Sequence, residues 1–205
     1  MVVPAGPAAA RGGRPSATSR EELERLALAL FAERGFDATT VDDLAHAAGV
    51  GRRTFFRYYP SKNDVVWGDF DAQLTGLADA LAATPSEVGL ADALRLAIVD
   101  FNSVPVEELP FHRVRMSLIL RVPALQAHST LRYAQWRAVV AAFAGERLGE
   151  RPDALRPQVI GHATLGAAVA AYERWLSGDG RPHTELLDAA VRELAPALAQ
   201  THPPA

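Results

Sequence analysis

Between Gly51 and Lys62 the chain carries Arg52, Arg53, Arg57 and Lys62, no carboxylate, and Thr54, Phe56 and Tyr58 interleaved with the cations. Guanidinium and ammonium groups make charge-assisted hydrogen bonds to phosphate, and a guanidinium can also grip a guanine edge with two parallel bonds. The partner such a set suits is double-stranded DNA. Arg52, Arg53 and Thr54 are expected to reach base edges in the major groove, while Thr40, Tyr58 and Lys62 hold phosphates and Phe56 and Arg57 complete the exposed face.

A reading face of this kind needs a short helix held at a fixed angle. Thr40 to Lys62 reads as a helix-turn-helix. Thr40 caps a first helix, with Asp43 three residues on as a carboxylate variant of the capping box, and Val41, Leu44 and Ala45 recur at helical spacing. Gly49 can take the left-handed conformation of a tight turn, Val50 plugs the angle, and a second helix runs from near Gly51 to Tyr58 before Pro60. On it, Phe55 and Tyr59 are four apart and face inward.

The run T-V-D-D-L-A-H-A-A-G-V-G-R-R-T-F-F-R-Y-Y-P-S-K resembles the DNA-binding signature of the TetR family of bacterial regulators. Two positions depart from that pattern. Gly51 stands where the recognition helix usually opens on Ser or Thr, a weaker cap, and Phe56 and Tyr58 stand where Tyr and His are usual. The resemblance implies a DNA-binding head, a helical effector domain and a homodimer on a palindromic operator. It extends into the variable half: F-R-Y-Y-P-S-K-N-D-V-V-W-G-D-F-D, L-Q-A-H-S-T-L-R-Y-A-Q-W-R-A-V-V-A and A-A-Y-E-R-W-L look like the mycofactocin-system branch of the family. That branch implies an acyl-CoA-like effector as a candidate.

The rest of the chain reads as all-α, about nine helices, with no alternating run that demands a strand. Residues 1–18, rich in Ala, Gly, Pro and Arg, are expected to form a disordered basic arm, 19–60 the DNA-binding domain, 61–200 the effector and dimerisation domain, and 201–205 a tail. Ser19 and Glu22 open the first helix, whose Leu23, Leu26, Ala27, Leu30 and Phe31 form one stripe. The spacing predicts a single fourth helix from Ser61 to about Thr84, with Val66, Phe70, Leu74, Leu77 and Leu81 as its spine. It is the expected lever between the domains. Later helices fall between Leu90 and Asn102, Val106 and Arg121, Ala124 and Leu148, Ala154 and Ser177, and Thr184 and Ala199, separated by Pro and Gly.

By the resemblance, an effector chamber lies between the fourth helix and its successors. Its expected lining is Trp67, Phe70, Leu74, Phe101, Met116, Leu120, Tyr133, Trp136 and Val140, and Arg113, Arg115 or Arg121, clustered with His112, is expected to receive an anionic head group. The last two helices, rich in small residues, are the family's dimer interface. Gly166, Ala170, Tyr172, Leu187, Val191 and Leu194 are the residues assigned to it.

Composition narrows the alternatives. The net charge is −3, yet residues 11–62 carry nine basic and seven acidic residues, leaving a net −5 in 63–205, so the positive charge is concentrated in the head. There is no cysteine, which removes disulfides and thiol chemistry and fits a reducing cytoplasm. No apolar run reaches the ~18 residues of a membrane span, so a cytoplasmic protein without membrane attachment is expected. The six histidines show no metal-ligand spacing, and no nucleophile or phosphate-loop motif is present. No cofactor, metal or catalytic residue is assigned. The competing reading is a helical carrier or enzyme for an apolar molecule with a vestigial head; Arg52 and Arg53 argue against it.

Overall fold

The computed structural model describes residues 19–196, in which every regular element is helical. The expected arm at 1–18, the tail at 201–205 and the end of the last predicted helix, including Leu198, lie outside the described residues.

Helix α1 (Arg20–Arg34) starts where the Ser19 hydroxyl accepts the Glu22 N–H at 3.1 Å. Its buried stripe is Leu23, Ala27, Leu28 and Phe31, and Phe36 folds back so that its ring lies 5.0 Å from that of Phe31. Helix α2 (Val41–Ala47) opens on the complete capping box of Thr40 and Asp43. Gly49, at φ 65°, turns the chain so that Val50 N–H reaches Ala45 O at 2.9 Å, and helix α3 (Arg52–Tyr58) follows with no side-chain cap at Gly51. Phe55 and Tyr59 are buried, as their spacing requires.

The fourth helix departs from expectation. It is two helices, α4 (Lys62–Trp67) and α5 (Phe70–Ala82), so that ten α-helices stand among the described residues. Gly68 breaks it at φ 62°, where a Cβ would lie 2.8 Å from Glu24 Oε2, and Asp69 caps α5 by accepting Ala72 N–H at 3.3 Å. Helical periodicity survives the break: Val66, Phe70, Leu74, Leu77 and Leu81 are all buried. Periodicity alone therefore does not report the interruption.

Helices α6 (Leu90–Phe101), α7 (Leu109–Arg121, entered through a short 3₁₀ turn at Val106–Glu108), α8 (Pro123–Leu148), α9 (Leu155–Leu176) and α10 (His183–Arg192) complete the body. The extended Val122 before Pro123 separates α7 from α8. Packing runs α8 on α9, α9 on α10, α10 on α6 and α5 on both α6 and α8, while α7 and α4 reach back to α1. Arg147 locks the α5–α6 connection: its guanidinium donates to the carbonyls of Thr84, Pro85, Ser86 and Val88 at 2.8 to 3.2 Å.

Candidate nucleic-acid interface and ligand cavity

The outer face of α3 presents Arg52, Arg53, Phe56 and Arg57 to solvent, with Thr54 and Tyr58 half-buried between them. Buried Phe55, edge-on to Phe56 at 5.5 Å, roots this face in the core of the head. Arg53 has no hydrogen bond or ion pair among the described residues. Arg52 is held to Asp42 of α2 at 2.8 Å and lies 5.3 Å from the Phe56 ring centre. Both members of that pair are mostly exposed, where an ion pair contributes roughly 0–1 kcal/mol, so a phosphate or base can take the guanidinium at small cost.

Two expected phosphate contacts are committed elsewhere. Thr40 Oγ and the Thr40 N–H donate to Asp43 Oδ2 at 2.5 and 2.8 Å, which holds the Asp43 carboxyl below its usual range, while Thr40 Oγ accepts the Asp43 N–H at 3.2 Å. Lys62 points its ammonium into the head, donating to Phe36 O at 2.8 Å and Thr39 O at 3.0 Å above the Phe36 ring. Phe36 O also accepts the Thr39 N–H at 3.3 Å, so the ammonium braces the α1–α2 turn. Lys62 therefore ties α4 to the head first; only its third N–H is left for a phosphate.

A cavity of about 260 Å³ opens between α4, α5, the end of α6, α7, α8 and α9. Of the expected lining, Trp67, Phe70, Phe101, Met116, Tyr133 and Trp136 face it. Leu74 and Val140 are buried in the core instead, Leu120 is half-buried off the cavity, and Arg121 is exposed at the end of α7. Arg113 donates to Leu176 O at 3.3 Å over the Trp175 ring. Of the three arginines expected to receive an anionic head group, Arg113 and Arg121 do not reach the cavity. The third, Arg115, does line it, two residues from Arg113 and so on a different side of the same helix.

Tyr172 is the clearest relocation. Assigned to the dimer interface, it lines the cavity: its hydroxyl donates to Asn102 Oδ1 at 2.8 Å and lies 2.8 Å from His112 Nε2. Burial, with His183 and Arg115 nearby, pushes the His112 imidazole down to about 3, so the neutral ring donates its Nε2–H to the Tyr172 oxygen. Burial likewise raises the Tyr172 phenol. Leu187 and Val191 also leave the expected interface, because α10 turns them into the core against α9 and α6. Gly166 and Ala170 are exposed on α9, in line with Leu155 and Val159, and Leu194 is half-buried.

One side chain joins head and cavity. Glu24 of α1 accepts the Tyr59 hydroxyl from the end of α3 and, through its other oxygen, Arg115 Nη2 from α7 at 3.0 Å. Burial and this carboxylate push the Tyr59 phenol upward, so it stays protonated and donating. Beside it, Asp64 of α4 meets Arg132 and His128 of α8, each at 3.3 Å.

Comparison with known proteins matches both halves. Residues 25–66 match the family described as bacterial regulatory proteins, tetR family, and residues 88–199 match the MftR C-terminal domain. A Mycobacterium tuberculosis protein assigned as mycofactocin biosynthesis transcriptional regulator MftR is 44% identical over 184 residues, 90% of this chain and 93% of that one. The transcriptional regulator TcmR of Streptomyces glaucescens is 30% identical over 149 residues, covering 69% and 66% of the two chains. Among solved structures, Thermus thermophilus FadR in complex with lauroyl-CoA superposes with a TM-score of 0.59 at 23% identity, covering 91% of this chain and 98% of that one. A regulator from Syntrophomonas wolfei reaches 0.66 at 14% identity, covering 88% and 94%. At these identities the structural matches speak to the fold.

Proposed function

The chain belongs to the TetR family of bacterial regulators, whose members bind operator DNA and small effectors and act as dimers, and from that premise we propose a ligand-released repressor. It acts in the cytoplasm as a homodimer on a two-fold operator, and like its relatives it is a regulator rather than an enzyme. The observation that carries the reading is the face of α3, where Arg52, Arg53 and Arg57 are exposed and the helix bears no carboxylate. Arg52, Arg53 and Thr54 read bases; Tyr58, Arg57 and the remaining N–H of Lys62 hold phosphates. Dimerisation uses the exposed side of α9 along Leu155, Val159, Gly166 and Ala170, because one recognition helix reads too few base pairs alone.

Control comes from the cavity. Trp67 ends α4 at the cavity while Lys62 begins it under the head, so six residues, roughly 9 Å of helix, separate ligand from DNA-binding unit. A ligand that displaces Trp67 or Arg115 disturbs the Lys62 anchor or the Glu24 bridge to Tyr59, and the two α3 helices lose their spacing. Coupling of this kind is reciprocal and typically amounts to ~1–3 kcal/mol. An acyl-CoA is the effector the FadR neighbour suggests; a cavity of about 260 Å³ takes part of its acyl chain and leaves the coenzyme outside. The test is a gel shift on DNA from upstream of the protein's own gene, followed by titration with acyl-CoAs of varied chain length, free coenzyme A and free fatty acid. Release that rises with chain length is expected; no release by any of them removes the acyl-CoA, and no shifted DNA removes the regulator.

A further inference from the structure

Two residues, Gly68 and Asp69, separate α4, whose Lys62 is tied to the head, from α5, which packs on α6 and α8 in the body. The backbone of α4 packs chiefly on α1 and α7, so α8 reaches it through side chains. Arg132 of α8 spans the break. Its Nη1 donates to Asp71 Oδ1 on α5 at 3.0 Å and its Nη2 to Asp64 Oδ1 on α4 at 3.3 Å, while its guanidinium carbon lies 5.6 Å from the centre of the Phe70 ring. Asp64 is fixed in turn to the start of α4, because its other oxygen accepts the Ser61 hydroxyl at 2.6 Å. His128 Nε2 stands 3.3 Å from the shared Asp64 oxygen without a hydrogen bond, which leaves Arg132 to make the hydrogen-bonded tie.

The side chain of Asp71 is 74% exposed, where water competes for the ion pair and its energy is small; what it does is aim the fork. Arg132 and Asp64 are 18% and 14% exposed, so that pair is screened far less. A guanidinium is planar, and a fork held at both tips transmits direction as well as charge. We infer that Arg132 is a positioning residue for operator binding: it holds α4 at one angle to α5, and through Asp64 and Lys62 it sets where each recognition helix sits, so that the dimer accepts one half-site spacing. The inference rests on the reading of α3 as the DNA-binding helix and adds a determinant of spacing, separate from the determinants of base preference on α3. One base pair is about 3.4 Å along the duplex. A head swinging on Gly68, whose φ of 62° costs a glycine little, can follow half-sites moved by that much; a head braced by the fork cannot.

Two readouts test it, one of them without DNA. The chain has no cysteine, so Ala38→Cys in the α1–α2 turn and Ala142→Cys on α8, both at exposed positions, place one spin label on the head and one on the body. In the full chain, diluted with unlabelled chain, the label-to-label distance is expected to be narrow, and to broaden or shift in Arg132→Gln and, to a smaller extent, in Asp71→Asn. The second readout is affinity for the selected operator with one base pair inserted or removed at its centre. The wild type is expected to bind each altered spacing at least about ten-fold more weakly, and Arg132→Gln to narrow that ratio to about two- to three-fold with base preferences inside each half-site kept. A merely structural role would weaken binding at every spacing in equal proportion. Label distances unchanged in both variants, or a spacing ratio unchanged in both, overturns the inference; if Arg132→Gln does not fold, Asp71→Asn, whose carboxylate stands mostly in water, decides it. A wild type that binds no duplex DNA would overturn the reading of α3, and the label distances would then decide whether the fork holds α4.

Discussion

The α3 face and the cavity solve opposite physical problems with the same residue type. On α3 the arginines stand in water over a helix of seven consecutive residues, held in place by a capping box and one buried phenylalanine. At the cavity a single arginine is drawn among side chains from six helices and its charge is matched by Glu24, far off in sequence. An exposed cation keeps its hydration and is free to exchange partners; a buried one must be paired, and its partner becomes structural. Substitutions on α3 should therefore change DNA binding without changing stability, and substitutions around Arg115 should lower stability and reach DNA binding only through the Glu24 bridge to Tyr59.

The sharpest break on the structural side is Leu187→Ala. Leu187 is fully buried within the chain, so its truncation is expected to cost about 2–5 kcal/mol in urea unfolding; a dimer dissociation with unchanged monomer stability would return it to the interface. Glu24→Ala should follow at roughly 2–4 kcal/mol, since it strands Arg115 and the Tyr59 hydroxyl together. A double-mutant cycle with Arg115→Ala checks that the two losses are one.

The His112 ring offers a pH test of the same wall. Its folded-state value lies near 3 and the unfolded imidazole near its ordinary ~6.5, so as pH falls below that value the unfolded chain takes up a proton the folded one refuses. Stability is then expected to drop by roughly 2 kcal/mol between pH 7 and 4.5, and His112→Asn should flatten that slope in denaturant titrations. On α3, Arg53→Ala should leave unfolding unchanged and narrow the gap between operator and random DNA by ~1–3 kcal/mol, read by competition binding. Gly166→Trp should likewise leave the stability of the single chain nearly unchanged, because a Cβ there meets nothing within 4 Å, yet split the dimer in sedimentation.

The contrast also explains what could be read from the residues alone. The head was legible because its determinants are local: Thr40 with Asp43, Gly49, and the Phe55–Tyr59 spacing act within a turn or two. The apolar half of the cavity was legible too, since Trp67, Phe70 and Trp136 had to point inward somewhere. Direction was not legible. Arg113 and Arg115 sit two residues apart on α7, and only the packing of α1 against α7 decides which one meets Glu24. Gly68 hid its break because the apolar rhythm continues through it, and the reason for a glycine there is the Glu24 carboxylate, 44 positions earlier in the chain. Lys62 looked like a surface donor because the Phe36 and Thr39 carbonyls that occupy it lie more than twenty positions earlier in the chain.

The measurement that bears most directly on the whole reading is selection of random duplex DNA by the purified protein, with Arg53→Ala selected in parallel. The expected result is a two-fold symmetric site whose half-sites are centred about one helical turn, ~34–36 Å, or a multiple of it apart, with the preference at one base pair of each half-site relaxed in Arg53→Ala. Enrichment of no sequence, or of an asymmetric site indifferent to Arg53→Ala, would contradict an α3-read, dimeric regulator.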